Sequence, residues 1–337
     1  MTEAKLERVL NSKFGHITIS SGGNGTELII DCPSCSRHKL SVNPSKGVYQ
    51  CWHCHDTGTL SKLLGMRVVV DNIKKVNKPK YSGFISPGDV IPLSQLPDEH
   101  EAILYLRNRK FDPKLLSDSF GLGYCKRGKK FGGGVFDTAG TIVIPLFENG
   151  KLIAWQSRLL YDPKKVNEGE EAMYGWVYDS ERQKYKVPPK YFTSPGFKKG
   201  EHFFNFDQAV KCGFVVVTEG AFDAMRVGKC AVASFGKSLT EAQIQILREH
   251  WPVVILLLDP DAESEQNILR RKIEGVGPFG GKSSNGTTCV SVQLKGYKDA
   301  GEAPHSEVVR QIILSAISDG VDLKKFSKLN PFVYETQ

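Results

Sequence analysis

Short apolar runs alternate with amphipathic stretches of helical length in the second half of the chain. The apolar runs are FVVVT from Phe214, AVASF from Ala231, VVILLL from Val253 and CVSVQL from Cys289. The stretches between the first three of these runs have the spacing of amphipathic helices. The runs are short and rich in β-branched residues, which favours strands over helices. Strand and helix in alternation predict βαβ units, and therefore a parallel sheet covered by helices.

Acidic residues follow these apolar runs. Glu219 comes after VVVT, Asp259 and Asp261 follow VILLL, and Asp299 lies shortly after VSVQL. In open parallel sheets the ligand site lies at the carboxyl ends of the strands, and acidic groups gathered there repel one another unless they share a cation. Oxygen ligands favour Mg²⁺ or Mn²⁺. The pattern predicts a divalent-metal site, although acidic turn residues and helix caps are an alternative interpretation.

Two cysteine pairs stand near the start of the chain. Cys32 and Cys35 form one C-x₂-C pair, Cys51 and Cys54 form the other, and fifteen residues separate them. In an intracellular protein such paired knuckles indicate a metal more often than disulfides. They predict one structural Zn²⁺ on a β-ribbon. The rival ligands are histidines, which we expect to lie on the surface or beside the ligands: His38, His53 and His55.

The intervening residues predict a linker and a mixed middle region. Four prolines, scattered lysines and no sustained period favour an extended tether over residues 66–100. The middle region reads as α+β, and two β runs joined at Asn149-Gly150 predict a hairpin. The predicted boundaries are 1–65 for the zinc ribbon, 66–100 for the flexible linker, 101–210 for a basic α+β subdomain, 211–303 for the parallel-sheet domain and 304–337 for a C-terminal helix and tail.

Composition and charge narrow the class of protein. The chain has 337 residues, of which 24% are charged, and no apolar run approaches a membrane span of about 20 residues. No signal-peptide pattern opens it, so we expect a cytoplasmic protein that is not secreted and contacts no membrane. Basic residues exceed acidic ones by 12 to 6 in residues 1–80 and by 18 to 11 in residues 101–200. The excess of basic residues in these two parts of the chain suggests that they bind a polyanion, although charged faces exposed to solvent are an alternative explanation.

Three sets of motifs resemble one family. EGAFDAM from Glu219 and LLLDPDAES from Leu256 look like the Toprim domain of primases, topoisomerases, nucleases and recombination mediators. KLSVNP and VYQCWHCHDTGTL resemble the zinc-binding domain of DnaG-type DNA primases. Between them, GLGYC, the hairpin ending in SRLL, and KYFTSPGFKKGEHFFNF occur in the order of that family's polymerase domain. The resemblance covers about residues 25–65 and 105–310.

The resemblance implies a fold and a function. The fold is α/β and α+β and multidomain, with an N-terminal zinc ribbon, a basic α+β subdomain and a Toprim parallel-sheet domain. The function is that of a DNA primase, a nucleotidyltransferase that makes short RNA primers on single-stranded DNA by metal-dependent transfer. Its expected partners are the single-stranded DNA template, ribonucleoside triphosphates and a replicative helicase on a separate chain.

The resemblance also implies roles for individual residues. The catalytic residues would be Glu219, Asp223, Asp259, Asp261 and Asp299. Among them Glu219, Asp259 and Asp261 would hold Mg²⁺ or Mn²⁺, while Cys32, Cys35, Cys51 and Cys54 would hold Zn²⁺. Nucleotide or nucleic acid would contact Arg158, Lys190, Lys199, Trp52, Arg37 and Lys39.

This chain departs from the family pattern at two positions. Glu263-Ser264 replaces the usual Ala-Gly after the D-x-D motif, and Asp299-Ala300-Gly301 replaces a common D-P-D. The second change weakens the assignment of Asp299. Cys35 in place of a common His, with a short C-terminal tail, favours a phage-encoded protein.

Two other functions use the same kinds of domain. A RecR-like recombination mediator also joins a four-cysteine site to a Toprim domain, but it is usually shorter and lacks the middle region. A Toprim nuclease is the other alternative. A topoisomerase needs a nucleophilic tyrosine in a large gate domain, for which this chain leaves no room.

Overall fold

The structure, a computed structural model, describes residues 3–22, 25–44, 47–54, 56–66, 84–236, 238–259, 263–275 and 286–325. The chain divides into two compact units, Met1–Lys80 and Tyr81–Gln337. Across the described ranges, none of the helices has the length and apolar character needed to cross a membrane.

In its described residues, the first unit is an antiparallel ribbon of five strands in the spatial order β1-β2-β3-β4-β5, accompanied by two helices. The elements are α1 (Glu3–Phe14), β1 (Thr18–Gly22), β2 (Gly25–Ile30), β3 (Leu40–Asn43), β4 (Val48–Cys51), β5 (Thr57–Thr59) and α2 (Leu60–Leu64). Its core holds few side chains, among them Leu6, Leu10, Leu28, Ile30, Leu40 and Val42. A core of this size gives limited stability by itself, so a metal site would add substantially to it.

The second unit begins with an antiparallel sheet in the order β14-β11-β10-β7-β6. Its strands are β6 (Gly88–Pro92), β7 (Gly123–Gly128), β10 (Thr141–Glu148), β11 (Lys151–Leu159) and β14 (Tyr191–Thr193), and helices α3 (Glu101–Asn108) and α4 (Pro113–Phe120) lie between β6 and β7. The predicted hairpin is confirmed: β10 and β11 pair directly around a turn in which Asn149 and Gly150 both have positive φ. Asp207 accepts hydrogen bonds from both backbone N–H groups of the turn, each at 2.8 Å.

Two small hairpins and a short helix complete the middle region. The hairpins are β8 (Lys130–Phe131) with β9 (Phe136–Asp137), and β12 (Tyr178–Asp179) with β13 (Lys184–Tyr185); the helix is α5 (Phe206–Ala209).

A four-stranded parallel sheet follows, as the alternation of apolar runs predicted. Its order is β16-β15-β17-β18, and every pair is parallel. The elements are β15 (Val215–Thr218), α6 (Ala221–Val227), β16 (Ala231–Ala233), α7 (Glu241–His250), β17 (Val253–Leu256), α8 (Glu263–Glu274), β18 (Thr288–Ser291) and α9 (His305–Ser318). The strand order reverses direction between β15 and β17, which is where ligands bind in open α/β sheets.

The central strands of this sheet are buried on both faces. Val216 and Ile255 point into a core shared with α6, α9 and the antiparallel sheet. Their neighbours Val215 and Val254 point into a second core, formed with α7 and α8. The period-two alternation of strand side chains explains why the sequence shows a continuous apolar run here. The expected multidomain α/β and α+β fold is confirmed.

Part of the predicted linker is structured. Residues 88–92 form β6, which pairs with β7, and Leu93 is buried at the start of a 3₁₀ turn. The prolines that suggested a tether are compatible with β6 because it is the edge strand of its sheet, where Pro is tolerated. Residues 67–83 of the predicted linker lie outside the described residues.

Arg226 ties three segments of the second unit together. Its guanidinium is buried and donates hydrogen bonds to the carbonyls of Lys110 at 2.8 Å, Arg109 at 2.7 Å and Gly301 at 3.0 Å. It also lies over the ring of Phe111, 3.8 Å from the centroid. These contacts join α6 to the end of α3 and to the loop that follows β18.

Replacing this guanidinium should destabilise the second unit. Arg226→Met keeps the apolar stem but leaves three carbonyls without their donor, so we expect the free energy of unfolding to fall by about 3 kcal/mol. Urea denaturation followed by tryptophan fluorescence measures the change. The matched control is Arg310→Met, because Arg310 is exposed on α9 and pairs with Glu307 one turn away, so its removal should matter little. Equal unfolding midpoints for the two variants would contradict the role of Arg226.

Candidate active site and metal centre

The four cysteines of the ribbon converge at one point. Their sulfur atoms all lie within 4.8 Å of one another. The Sγ atoms of Cys32 and Cys54 are 3.6 Å apart, and those of Cys35 and Cys51 are 3.7 Å apart. A tetrahedral ion with metal–sulfur bonds of about 2.3 Å requires sulfur separations of about 3.8 Å. The arrangement therefore fits a four-coordinate metal ion, as the spacing predicted.

Local backbone geometry prepares the knuckles. In the first, the N–H of Ser36 donates to the carbonyl of Cys32 at 2.8 Å, and Ser36 adopts a positive φ of 57°. In the second, the N–H of His53 points at the Cys51 sulfur, 3.5 Å away. Burial works to raise the pKa of the Cys51 thiol, but the backbone N–H groups of Cys54 and His53, together with the Cys54 and Cys32 thiols, lower the pKa to about 7. At Cys54 the backbone N–H of Asp56 lowers the pKa, but burial and the other three thiols outweigh it and raise the pKa to about 12. The thiolate, the form that binds a metal, is therefore favoured at Cys51 before Cys54.

The histidines do not join the described cluster. His38 is engaged elsewhere: its Nδ1 lies 2.8 Å from the Asp31 carboxylate and its Nε2 lies 3.0 Å from the Thr18 hydroxyl. His53 is exposed, and the group of metal-ligating side chains found among the described residues contains the cysteines without it. His55 lies outside the described residues.

The aromatic residues of the ribbon divide into one buried and one exposed side chain. Tyr49 is only 4% exposed and packs in the core, whereas Trp52 is 61% exposed. Arg37 and Lys39 are exposed as well, and the carbonyl of Lys39 accepts the backbone N–H of Trp52 at 2.9 Å. The ribbon therefore presents an indole beside two cations, a combination suited to bases and phosphates.

At the carboxyl edge of the parallel sheet, Glu219 and Asp259 meet. They follow β15 and β17, the two strands at the switch point, and the backbone N–H of Asp259 donates to Glu219 Oε1 at 3.1 Å. The apolar strands pack both faces of the sheet, which leaves the edge as the place where these charges can sit. Asp261 lies outside the described residues.

Asp223 and Asp299 form the other half of the acidic cluster. Asp223, in the first turn of α6, accepts the backbone N–H groups of Gly220 at 3.2 Å and Gly301 at 2.8 Å. A Cβ atom added to Gly301 would lie 2.9 Å from the Asp223 carboxylate, 3.1 Å from the Arg109 guanidinium and 3.4 Å from the Asp299 carboxylate. Glycine at this position lets two acidic groups and one cation crowd around the backbone.

The acidic cluster disfavours simultaneous ionisation of all its carboxyl groups. Burial, followed by the negative charges of Asp299 and Asp259, raises the pKa of Asp223 to about 7. The N–H of Gly301 and the Arg109 guanidinium act in the opposite direction without cancelling the shift. Carboxylates in this situation are hard oxygen donors that a divalent cation would stabilise.

One cavity of about 400 Å³ brings the acidic and basic candidates together. From the acidic edge it is lined by Glu219, Asp223 and Asp299, and from the antiparallel sheet and its flanking loop by Arg158, Lys190 and Lys199. Asp259 reaches the same edge through its bond to Glu219. Six predicted residues from distant parts of the sequence therefore line one space, with Asp259 beside them, and their catalytic and binding roles stay predictions.

The basic side of the cavity is held by aromatic contacts. Arg158 is buried on β11, and its guanidinium lies over the ring of Tyr191 on β14, 4.5 Å from the centroid. Lys190 lies beside Asp162, with Nζ 3.5 Å from the carboxylate. Lys199 is more exposed and lies in a 3₁₀ turn. A buried cation that stacks on an aromatic ring keeps its guanidinium in a fixed place.

The sequence motifs did not identify several residues of the cavity. Arg109 projects from the end of α3 and lies over the ring of Phe222, 4.7 Å from the centroid. Other residues on the cavity wall that were not predicted include Gln156, Tyr191, Phe235, Lys298 and Glu302. The cluster of basic residues around Arg109 in the sequence was a weak signal, because three neighbouring cations give no indication of which one faces inward.

The sequence of the chain is similar to bacterial DNA primases. It is 27% identical over 279 residues to the DNA primase of Thermotoga maritima, a match that covers 71% of this chain and 48% of the relative. It is 25% identical over 285 residues to the DNA primase of Campylobacter jejuni, covering 70% and 45%. These similarities confirm the resemblance that the motifs indicated. The chain spans about half the length of these curated relatives, and no family model matches it.

Solved primase structures also align with the chain. The zinc-binding and RNA polymerase domains of the Aquifex aeolicus primase align with a TM-score of 0.47 and 21% identity, over 93% of this chain and 85% of that chain. A DNA primase domain from Pseudomonas aeruginosa aligns with a TM-score of 0.46 and 20% identity, over 66% and 73%.

A substitution at Gly301 tests the close packing around its backbone. Gly301→Ala places a methyl group against the Asp223 carboxylate, whose hydrogen bonds must then break or shift, so the free energy of unfolding should fall by about 1–2 kcal/mol. Gly236→Ala is the matched control, because Gly236 lines the same cavity and an added Cβ meets nothing within 4 Å. The control should change the free energy by less than about 0.5 kcal/mol. Urea denaturation that ranks the variants in the opposite order would argue against the described packing.

Proposed function

We propose that this chain, which resembles bacterial DNA primases over about seven tenths of its length, synthesises RNA primers on single-stranded DNA. In the proposed reaction the 3′-hydroxyl oxygen of one ribonucleotide attacks the α-phosphorus of the next, and pyrophosphate leaves. The observation that carries the proposal is one cavity in which an acidic edge faces a buried guanidinium and two more exposed lysines. Nucleotidyl transfer needs both kinds of group, because the nucleophile and the triphosphate must be held together.

The basic wall is suited to the triphosphate. Arg158 presents a fixed guanidinium, which can form paired hydrogen bonds to phosphate oxygens. Lys190 and Lys199 add point charges on the same wall. In this proposal the three cations hold the incoming nucleotide or the template backbone, and Glu219 orients the 3′-hydroxyl.

The acidic edge fits a divalent cation. Its donors are carboxylate oxygens, and the raised pKa of Asp223 marks negative charge that the fold itself does not neutralise. Glu219, Asp259 and Asp261 would hold Mg²⁺ or Mn²⁺, and the assignment of residues 211–303 as a Toprim domain belongs to the same proposal. When bound, such a cation lowers the pKa of a coordinated hydroxyl and neutralises charge on the leaving pyrophosphate.

The zinc ribbon would select the template. Its sulfur geometry fits Zn²⁺, and the exposed Trp52 with Arg37 and Lys39 offers a stacking surface and phosphate partners. The proposed partners are the single-stranded template and ribonucleoside triphosphates, and the family resemblance adds a helicase on a separate chain. A phage origin stays a prediction from Cys35.

The alternative functions fit the cavity less well. A RecR-like mediator needs no triphosphate-binding wall, and a Toprim nuclease does not need ribonucleotides. The antiparallel sheet that supplies Arg158 and Lys190 is therefore the feature that favours a polymerase. Incubation with labelled ribonucleotides, Mg²⁺ and single-stranded DNA distinguishes the three functions. Labelled primers would support the proposal, DNA cleavage would favour the nuclease, and DNA binding without synthesis or cleavage would favour the mediator.

The acidic edge provides the sharpest test of catalysis. Asp259→Asn removes one negative charge where the metal would bind, so we expect primer synthesis to fall by ~10³ or more. Primer synthesis on a single-stranded template measures the loss, and binding of labelled DNA should change little because carboxylates repel phosphate. The matched control is Asp322→Asn, which changes an acidic residue outside the cavity. A normal rate for Asp259→Asn would refute the catalytic assignment.

The cysteine cluster predicts a metal-dependent ribbon. Cys51→Ser removes one of four thiolates, so the ribbon should lose Zn²⁺ and unfold, since the small core cannot compensate. Metal analysis of the purified chain and limited proteolysis of residues 1–65 report the two effects. Cys212→Ser, which changes a cysteine of the second unit, should keep one Zn²⁺ per chain. A full complement of zinc in Cys51→Ser would remove Cys51 from the site.

A further inference from the structure

Three aromatic rings among the described residues line the cavity that joins the acidic and basic candidates: Tyr191, Phe222 and Phe235. The Arg158 guanidinium lies over the ring of Tyr191, 4.5 Å from the centroid, and the Arg109 guanidinium lies over the ring of Phe222, at 4.7 Å. Within the described ranges, Phe235 has no cation over its ring. Phe235 is therefore the ring on this wall that can still offer a face to a ligand.

The ring of Phe235 packs edge-to-face against that of Phe197. Their centroids are 5.9 Å apart and their planes meet at 86°. Such a pair joins the edge of one ring to one face of the other, so it does not use both faces of Phe235. The side chain is half-buried and lines the cavity. The accessible part of the ring therefore borders the space that a ligand would fill.

The backbone of Phe235, just after the carboxyl end of β16, has a conformation that favours glycine. Its φ is 65°, a value at which a bulky residue is an outlier. The preceding residue fixes this turn: the Ser234 N–H donates to the carbonyl of Thr218 at 3.0 Å, and the Ser234 hydroxyl donates to the carbonyl of Gly236 at 2.7 Å. Outliers of this kind cluster at ligand sites. Because glycine would adopt the same φ without steric cost, the phenylalanine here indicates a role for its ring.

A buried amide places the Lys199 turn beside this ring. The Nε2 atom of Gln243 donates to three carbonyls, those of Lys199 at 3.1 Å, His202 at 2.9 Å and Ser234 at 3.3 Å. The backbone of Lys199 and the residue before Phe235 are thereby held at one point. A cation suited to phosphate and a ring suited to a base consequently lie on adjacent segments of the cavity wall.

We propose that Phe235 stacks on the base of the nucleoside triphosphate whose phosphates lie on Arg158, Lys190 and Lys199. The inference rests on the proposed function and adds a contact for the base, which the charged residues of the cavity do not explain. Stacking on an aromatic ring tolerates any base because every base has a π-face, which suits an enzyme that must accept four nucleotides. The cavity, at about 400 Å³, has the size of a small-molecule site.

The nucleoside triphosphate is favoured over a template base by the charge around the ring. Arg158, Lys190 and Lys199 line the same cavity as Phe235. A triphosphate brings several negative charges to one small space, whereas a DNA strand brings a single phosphate for each nucleotide. Cations grouped beside one ring therefore match a triphosphate better than they match a strand.

The test compares Mg²⁺-ATP with Mg²⁺-tripolyphosphate, which has a chain of three phosphates but no base. Isothermal titration calorimetry measures the affinity of the full chain for each ligand in the absence of DNA. Phe235→Ala should weaken ATP binding about tenfold, because the base loses its stacking partner. Affinity for tripolyphosphate should not change, since the cations of the wall are the same.

Two further variants separate stacking from packing. Phe235→Leu keeps an apolar side chain against the core but has no π-face, so it should lose affinity for ATP and keep affinity for tripolyphosphate. Phe235→Tyr keeps the ring and should bind both ligands as the natural chain does. The matched control is Phe147→Ala, because Phe147 is 41% exposed and lies outside the cavity. This control should leave both affinities unchanged.

A purely structural role for Phe235 predicts a different pattern. Equal losses of affinity for ATP and tripolyphosphate in both Phe235→Ala and Phe235→Leu would overturn the proposal, as would natural ATP affinity in both variants. A Phe235→Tyr variant as weak as Phe235→Ala would also overturn it. If the Ala and Leu variants bind ATP normally but lose affinity for an oligothymidylate, the ring contacts a template base and the proposed ligand is wrong.

Failure of the stacking contact and failure of the proposed activity give different results. If the natural chain makes no primers while Phe235→Ala loses affinity for ATP and not for tripolyphosphate, the activity is wrong and the stacking contact stands. If the natural chain makes primers and Phe235→Ala binds ATP as tightly as the natural chain does, the activity stands and the stacking contact is wrong.

Discussion

Repulsion among carboxylates at one edge of the parallel sheet is the constraint on which the second unit depends. The strands that end there are buried on both faces, so Glu219 and Asp259 can sit only at the edge. Asp223 and Asp299 approach the same edge around Gly301, and the pKa of Asp223 rises to about 7 because burial and its neighbours disfavour its charge. A fold that concentrates unfavourable charge in this way is stable only if other contacts compensate for it.

Those contacts come from the antiparallel sheet and from α3. A single apolar core joins one face of the parallel sheet to one face of the antiparallel sheet, which fixes their separation. Arg226 then connects α6 to the end of α3 and to the loop of Gly301. Arg109 and Arg158 are consequently held beside the acidic edge by packing on aromatic rings.

The sequence allowed prediction of those parts in which a local pattern has one physical cause. Continuous apolar runs indicated strands buried on both faces, and two C-x₂-C pairs indicated a site whose sulfur atoms do converge. The Asn149-Gly150 turn was equally local, because both residues tolerate positive φ. Strand β6 was not predicted because prolines in this segment argued against a strand. They are compatible with one here because β6 lies at the edge of its sheet. Likewise, sequence could not decide whether Tyr49 or Trp52 packs inside the ribbon.

The remaining features depend on contacts between distant segments, which a single sequence does not encode in any local pattern. Arg109 is one of three neighbouring cations, and it faces the cavity only because Phe111 and Phe222 fix the end of α3 against α6. Gly301 appears in the sequence as a departure from a D-P-D motif, yet its missing side chain is what lets Asp223 and Asp299 approach each other. The absence of an acidic side chain at position 301 therefore also leaves room for the two neighbouring carboxylates. The same substitution that weakened the assignment of Asp299 from sequence gives the acidic cluster its compact geometry.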